Sequence, residues 1–124
     1  MIKGLGVDLV EIRRIEGIIK KSGDRFLEKI FTPDEIEYCQ NKGASYQHFA
    51  ARFAAKEAVV KMLGDSSGIS WQDIEVFNQN NGAPEIRLTG QAGITAEKYG
   101  INSIHISISH EKKMAVAMVI GEGD

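Results

Sequence analysis

The sequence of 124 residues has little of what stabilises very small or membrane-embedded proteins. It contains one cysteine, Cys39, only two prolines, and no strongly apolar run longer than the seven residues Met114–Ile120. A single cysteine excludes an intrachain disulfide and a thiolate-rich zinc site. A membrane-spanning helix needs about 20 apolar residues, and acidic residues interrupt the N-terminal apolar run, so neither a membrane span nor a signal peptide is expected. We therefore expect a cytoplasmic protein with no membrane partner.

Size, composition and charge indicate one ordinary globular domain over residues 1–124. Hydrophobic residues make up 43% and charged residues 26% of the chain, a balance that argues against a disordered protein. The net charge is −2, so the bulk charge gives no sign of a nucleic-acid partner. Between Glu11 and Lys29, however, six basic residues stand against four acidic ones. This local excess fits an anionic ligand or an acidic partner, although a solvated helix face explains it at least as well.

The order of apolar and turn-forming residues predicts alternating short helices and strands. Residues 25–31 are expected to form a turn, and Thr32, Pro33 and Glu35 form a capping box that starts a helix. We expect helices over residues 11–23, 33–42, 45–63 and 89–99, and strands over residues 2–10, 71–77, 85–88, 104–110 and 114–120.

These elements predict an α+β fold, with a small antiparallel sheet packed against one long helix and shorter helices. The long helix, residues 45–63, contains no Gly or Pro and should bury one apolar stripe, formed by Phe49, Phe53, Val60 and Leu63. The last strand is apolar on both faces, which indicates a central strand or a strand at an interface.

Asp8 is the first candidate for a functional residue. It lies within the first strand, on the same face as Gly4 and Gly6, and aspartate is a poor strand former. An edge position or a hydrogen bond to nearby backbone would explain it. The functional alternative is a carboxylate held for a cation, with the two glycines allowing a ligand to approach closely.

Glu57 and Lys61 are the second candidate, four residues apart on the long helix. The simplest interpretation is a surface ion pair worth about 0.2–0.5 kcal/mol. Ala54, one turn before Glu57, is small, which indicates that this helix face is closely packed, and Arg52 and Lys56 add positive charge to the helix. A carboxylate with flanking cations suits a site for Mg²⁺ and phosphate, because Mg²⁺ is usually held by one or two carboxylates together with substrate phosphates.

His110 is the third candidate, at the end of the 104–110 strand beside Ser109. Adjacent strand residues point to opposite faces, so a Ser–His nucleophile pair is disfavoured. A ligand contact at the strand end, or simply a turn residue, is the better interpretation of His110.

Three segments together resemble a known family: Gly4–Ile12, Phe49–Ala58 followed by Lys61, and Ile106–His110. In this order they resemble the short bacterial holo-acyl-carrier-protein synthases, which are 4′-phosphopantetheinyl transferases. The resemblance covers essentially the whole chain. It implies transfer of 4′-phosphopantetheine from coenzyme A to a serine of apo-acyl carrier protein, with 3′,5′-ADP as the second product, Mg²⁺ as cofactor and fatty acid biosynthesis as the setting.

The resemblance also implies roles for the residues already singled out. Asp8 and Glu57 fall on the metal ligands of the family, and Lys61 falls on the lysine beside the pyrophosphate. The serine proton needs an acceptor, and either Glu57 or a water held on the metal is the candidate. Glu57 and Lys61 are thus the expected catalytic residues, and Asp8 and Glu57 the expected metal ligands. We call these three side chains the catalytic group.

The remaining implied roles concern binding. His110 falls in the coenzyme A pocket, Arg52 near its nucleotide end, and Arg14 in the helix that docks the acidic carrier protein. The resemblance further implies a homotrimer with active sites between subunits. A metal-dependent phosphohydrolase acting on coenzyme A or a nucleotide, and a non-catalytic binding domain, remain the two alternatives.

Overall fold

A computed structural model describes all 124 residues. They form five α-helices and five strands, joined by short connecting segments. The helices are α1 (Ile12–Ser22), α2 (Asp24–Ile30), α3 (Pro33–Gln40), α4 (Ser45–Leu63) and α5 (Gly90–Lys98). The strands are β1 (Ile2–Glu11), β2 (Ile74–Asn78), β3 (Pro84–Leu88), β4 (Ser103–His110) and β5 (Met114–Glu122). The α+β class is confirmed. None of the helices is both long and apolar enough to cross a membrane.

The strands form two antiparallel sheets, where the sequence predicted one. The larger sheet has the order β1-β5-β4, and β2 and β3 form a separate hairpin. The apolar strand β5 is central, as its composition predicted. In its register Ala117 faces both Asp8 and Ile108, so the ends of β1 and β4 that carry the candidate residues flank the same strand.

Helix α4 is the centre of the core, and it is buried on nearly all sides rather than along one stripe. Phe49, Phe53 and Leu63 are buried as expected, but the alanines of the helix are buried as well, and Val60 is only partly buried. The reason is that α4 packs against the three-stranded sheet on one side and against α3 and β2 on another. The helix ends at Gly64, whose φ of +74° is the left-handed conformation that glycine adopts without strain.

Gly4 and Gly6 allow β1 to lie directly on the backbone of α4. A Cβ atom at Gly4 would stand 2.5 Å from the carbonyl oxygen of Met62, and one at Gly6 would collide with the carbonyl oxygen of Ala58. The expectation that these glycines make room for a ligand is therefore wrong, because helix backbone already fills the space. Close packing of strand and helix instead fixes the position of Asp8, two residues further along.

Two local predictions were wrong. The segment expected to be a turn at residues 25–31 forms helix α2, which buries Leu27 and Ile30 with the adjoining Phe31. The strand expected from Trp71 begins only at Ile74, because residues 71–73 form a 3₁₀ turn with a capping box at Ser70. Both segments are short, and tertiary packing decides their conformation.

Lys56 does not belong to the candidate site, contrary to the expectation from its charge. Its side chain is fully buried, its Nζ lies 2.8 Å from Oε1 of Glu35, and it also donates hydrogen bonds to the carbonyl oxygens of Trp71 and Ile74. Burial lowers the pKa of Lys56, and the negative charge of Glu35 opposes that shift. Since Glu35 also accepts a hydrogen bond from the backbone of Val76, the pair ties α3 and α4 to β2.

Candidate active site

Asp8, Glu57 and Lys61 come together where β1 crosses α4. The Nζ of Lys61 donates to Oδ1 of Asp8 at 3.0 Å and to the carbonyl oxygen of Val7 at 3.1 Å. Lys61 therefore bridges to the strand and does not form the ion pair with Glu57 that helical spacing alone would favour. The side chain of Asp8 is only 16% exposed, whereas that of Lys61 is 55% exposed, so the group lies at the edge of the core and faces solvent.

The pKa of Glu57, a member of this group, is raised above its ordinary value. Partial burial raises the pKa of its carboxyl group, and the negative charge of Asp8 raises it further, while Lys61 and Arg14 act in the opposite direction. Two carboxylates from separate elements therefore repel each other across a short gap. Because the charge of Arg14 acts on Glu57, helix α1 lies near the edge of this site.

The donor set fits a hard divalent cation. Asp8 and Glu57 supply two carboxylates, and no cluster of three or more acidic, histidine or cysteine side chains occurs. Mg²⁺ is typically held by one or two carboxylates and completes its octahedron with waters and substrate phosphates, whereas Zn²⁺ requires more protein ligands. Burial is the main cause of the raised pKa of Glu57, and the second cause, repulsion by the charge of Asp8, is one that a bound cation would relieve.

Arg52 lies on another side of α4, almost completely buried. Its Nη2 donates to Oδ1 of Asn78 at 2.6 Å, and its guanidinium carbon stands 4.1 Å from the centre of the Tyr38 ring. Its Nε has no hydrogen-bond partner although it is buried. Unpaired buried donors are rare and costly, and this one is shielded from solvent within the folded chain.

His110 is exposed at the end of β4, as predicted, and its ring is held by Gln47 from the first turn of α4. The side-chain amide of Gln47 lies 2.8 Å from Nε2 of His110 and also contacts Nδ1. No hydrogen bond or ion pair joins His110 or Arg52 to Asp8, Glu57 or Lys61. Arg52 and His110, which both act on the pKa of His48, form a second group of candidate residues outside these contacts.

The sequence missed the partners that orient the second group. Gln47, Tyr38 and Asn78 contact His110 or Arg52 only because the fold joins α3, α4, β2 and β4. No short motif or spacing in the sequence links them. Arg14, in contrast, was singled out by the family resemblance, and it is exposed on α1.

The family model described as the 4′-phosphopantetheinyl transferase superfamily matches residues 4–118. That match extends from the glycines of β1 to the middle of β5 and includes every candidate residue described above. The chain therefore belongs to the 4′-phosphopantetheinyl transferase superfamily.

Similar proteins narrow the family to one group. A holo-[acyl-carrier-protein] synthase of Halothermothrix orenii is 49% identical over 98% of both chains. Among solved structures, the holo-[acyl-carrier-protein] synthase of Neisseria meningitidis is 34% identical, with a TM-score of 0.88 and coverage of 98% of this chain and 99% of the other. The Helicobacter pylori synthase in complex with coenzyme A is 33% identical, with a TM-score of 0.83 and coverage of 95% and 99%.

Proposed function

We infer that this protein transfers the 4′-phosphopantetheine group from coenzyme A to a serine of apo-acyl carrier protein, in support of fatty acid biosynthesis. The products are holo-acyl carrier protein and 3′,5′-ADP. The observation that carries this function is the convergence of Asp8 and Glu57, with Lys61, in a chain that is 49% identical to a holo-[acyl-carrier-protein] synthase. The alternative of a phosphohydrolase finds no support among the similar proteins.

Asp8 and Glu57 are the residues that would hold Mg²⁺. When bound, the ion would neutralise charge on the phosphate oxygens of coenzyme A. Lys61 is half-exposed on the same side, so its ammonium group can turn from Asp8 towards a phosphate. The repulsion between the two carboxylates supports this assignment, because it is the feature a cation would remove.

Glu57 is also our candidate for the acceptor of the serine proton. Attack on the phosphate by a neutral hydroxyl requires a nearby base, and either the Glu57 carboxylate or a water that it would hold on the metal can accept the proton. Burial and the charge of Asp8 both raise the pKa of Glu57. The remainder of the rate enhancement comes from positioning and charge, since phosphoryl transfer involves little covalent chemistry by the protein.

Arg52 and His110 are our candidates for binding the nucleotide end of coenzyme A. The guanidinium group of Arg52 supplies a positive charge, and the ring of His110 is exposed at the end of β4. Neither residue contacts the Asp8 group within one chain, and a site assembled from two copies accounts for that separation. Each active site would then combine Asp8, Glu57 and Lys61 of one subunit with Arg52 and His110 of its neighbour.

A homotrimer is our proposal for that assembly. The face of the three-stranded sheet that is turned away from α4 carries exposed Leu5, Val7 and Leu9 next to Met118 of β5. Exposed apolar patches of this kind mark association surfaces. The number of three subunits follows from the family resemblance, since cyclic symmetry alone allows other closed assemblies.

Helix α1 is our proposal for the surface that docks the carrier protein. Ile12 and Ile15 are buried while Arg13 and Arg14 are exposed, so the helix turns its cations outward. The charge of Arg14 reaches Glu57, so an acidic partner bound there would lie beside the catalytic group. Both substrates belong to the cytoplasm in this interpretation, and the cytoplasmic location stays a prediction.

Mass spectrometry of an apo-acyl carrier protein tests the proposed function. Incubation with coenzyme A and Mg²⁺ should add the mass of phosphopantetheine to the carrier protein and release 3′,5′-ADP, and a chelator should stop the reaction. A carrier protein whose acceptor serine is replaced by alanine is the matched control. Release of 3′,5′-ADP without any gain of mass on the carrier protein would identify a hydrolase and overturn the proposal.

A further inference from the structure

His48 is a titratable residue outside the proposed catalytic and binding groups, and it lies one helical turn before Arg52 on α4. It is half-buried in the first turn of α4. Its ring meets the Tyr38 ring edge-on, with 5.8 Å between the centroids. The same Tyr38 ring lies 4.7 Å from Nζ of Lys42 and 4.1 Å from the guanidinium carbon of Arg52.

The charged side chains that surround His48 are basic, and no carboxylate contacts His48 directly. The charges that act on His48 come from Arg52 of its own helix, from Lys42 after α3 and from His110 at the end of β4, and all of them are basic. Burial lowers the pKa of His48, and the positive charges lower it further, so the imidazole is neutral at physiological pH. Asp34 and Glu37 line a shallow groove with Lys42 and are not among the charges that act on His48.

We propose that His48 takes up a proton when a phosphate monoester binds beside Arg52, and so makes the affinity for that end of coenzyme A depend on pH. This inference rests on the proposed function, because coenzyme A carries such a monoester on its 3′ oxygen. A bound phosphate dianion would replace the repulsion among basic groups with attraction. The imidazolium would then add a second positive charge beside that of Arg52 and could donate a charge-assisted hydrogen bond to the phosphate.

The direction of the effect follows from linkage. The pKa of His48 is low in the free protein and rises when the anion binds, so binding should strengthen as the pH falls from the bound-state pKa to the free-state pKa. Each unit by which the ligand raises the pKa adds about tenfold to the affinity over that interval. The phosphate monoester itself titrates near pH ~6 and acts in the opposite direction, but it does so equally in every protein variant.

The test compares the wild type with His48→Phe, which keeps an aromatic ring against Tyr38, and with His48→Gln. Calorimetric titration with coenzyme A and with 3′-dephospho-coenzyme A, in chelator, would be run from about pH 5.5 to about pH 8.5, a range that spans histidine titration. We expect the ratio of the two affinities to rise roughly threefold to tenfold more in the wild type than in either variant as the pH falls. Buffers of different ionisation enthalpy should reveal greater net proton uptake on binding in the wild type than in either His48 variant.

His105→Gln is the matched control, since His105 is the remaining histidine outside this cluster and pairs with Glu122. It should keep the pH dependence of the wild type. An affinity ratio whose pH dependence is the same in the wild type and both His48 variants would overturn the proposal. Phosphopantetheine transfer to apo-acyl carrier protein, measured at saturating coenzyme A, reports separately on the proposed function. A wild type that transfers the group but shows no His48-dependent proton uptake would refute only the role of His48.

Discussion

Several charges of the candidate active site act on the carboxyl group of Glu57. Burial and Asp8 raise the pKa of its carboxyl group, while Lys61 and Arg14 act against them. The free protein therefore holds two carboxylates in mutual repulsion, with one lysine bound to Asp8 rather than to Glu57. A cation that joined both carboxylates would free Lys61 for the substrate, so the three side chains act as one unit.

Replacement of either carboxylate should remove Mg²⁺-dependent activity and leave the fold intact. We expect Asp8→Asn and Glu57→Gln to lower turnover by ~100-fold or more, because one remaining carboxylate holds a reluctantly dehydrated ion poorly. The measurement is the rate of holo-acyl carrier protein formation over a Mg²⁺ titration, with thermal unfolding as the check on folding. Glu97→Gln, on the exposed side of α5, is the control. Near wild-type turnover at limiting Mg²⁺ in either variant would exclude that residue as a ligand.

At the scale of elements, the contact between β1 and α4 sets the position of the catalytic group. Glycines on the strand face the helix backbone, and buried alanines such as Ala54 and Ala58 line the helix. With no side chains between them, the two backbones approach closely enough for Asp8 to reach the helix that carries Glu57. The small residues therefore fix the position of the candidate site through close packing of strand and helix.

Gly6→Ala should disrupt this contact. The added methyl group collides with the carbonyl oxygen of Ala58, which is backbone and cannot rotate away. We expect a loss of about 3 kcal/mol or more in the free energy of unfolding, since overpacking a tight contact typically costs 1–3 kcal/mol where side chains can adjust. Chemical denaturation measures this loss.

Gly17→Ala is the matched control for that substitution. Gly17 lies within α1, and a Cβ atom there meets nothing within 4 Å. The change should stabilise the protein by ~0.5–1 kcal/mol, because alanine favours a helix over glycine. Equal effects of the two substitutions would contradict the steric role of Gly6.

The elements also show what the sequence could reveal. The long run without Gly or Pro predicted α4 within one residue, alternation predicted β4, and a continuous apolar run predicted β5, because these signals are local. Helix α2 was missed because seven residues are too few to display helical periodicity. The role of Gly6 was missed because the sequence does not distinguish a glycine that makes room for a ligand from one that makes room for a helix. Likewise, the contact between Gln47 and His110 joins residues 63 positions apart.

Helix α1 carries a prediction of its own. Arg14→Glu should raise the Michaelis constant for the carrier protein several-fold, because a reversed charge repels an acidic partner, and should leave that for coenzyme A nearly unchanged. Added salt should weaken acceptor binding by the wild type more than by the variant, as expected for screened surface charges. Steady-state kinetics with each substrate varied in turn measures both effects. An equal rise in both constants would place Arg14 in the common active site or at a subunit contact.

At the scale of the whole molecule, one side of the larger sheet is covered and the other is open. Helix α4 covers the inner face, where the glycines and Ala117 lie, while Leu5 and Leu9 on the outer face are 64% and 62% exposed. Such an exposed apolar face on a small domain promotes aggregation unless another copy of the chain covers it. The separation of the two candidate groups within one chain points to the same conclusion, because an assembly would cover the face and complete the site together.

A charge on that outer face should therefore separate the subunits and abolish activity. Val7 is 50% exposed and pairs in register with Met118, which is 45% exposed, so Val7→Lys places an ammonium group in the proposed contact. We expect the wild type to sediment at three times its chain mass of 13.6 kDa, and the variant to sediment as a folded, inactive monomer. Ile94→Lys is the control, because Ile94 is 59% exposed on α5, away from the sheet, and its replacement should change neither mass nor activity. An active wild-type preparation that sediments as a monomer at micromolar concentration would refute both the trimer and the shared site.

A Val7→Lys variant that is inactive but still trimeric would also contradict the role of Val7 in assembly. It would show instead that the substitution disturbs the catalytic group, because the carbonyl oxygen of Val7 contacts Lys61.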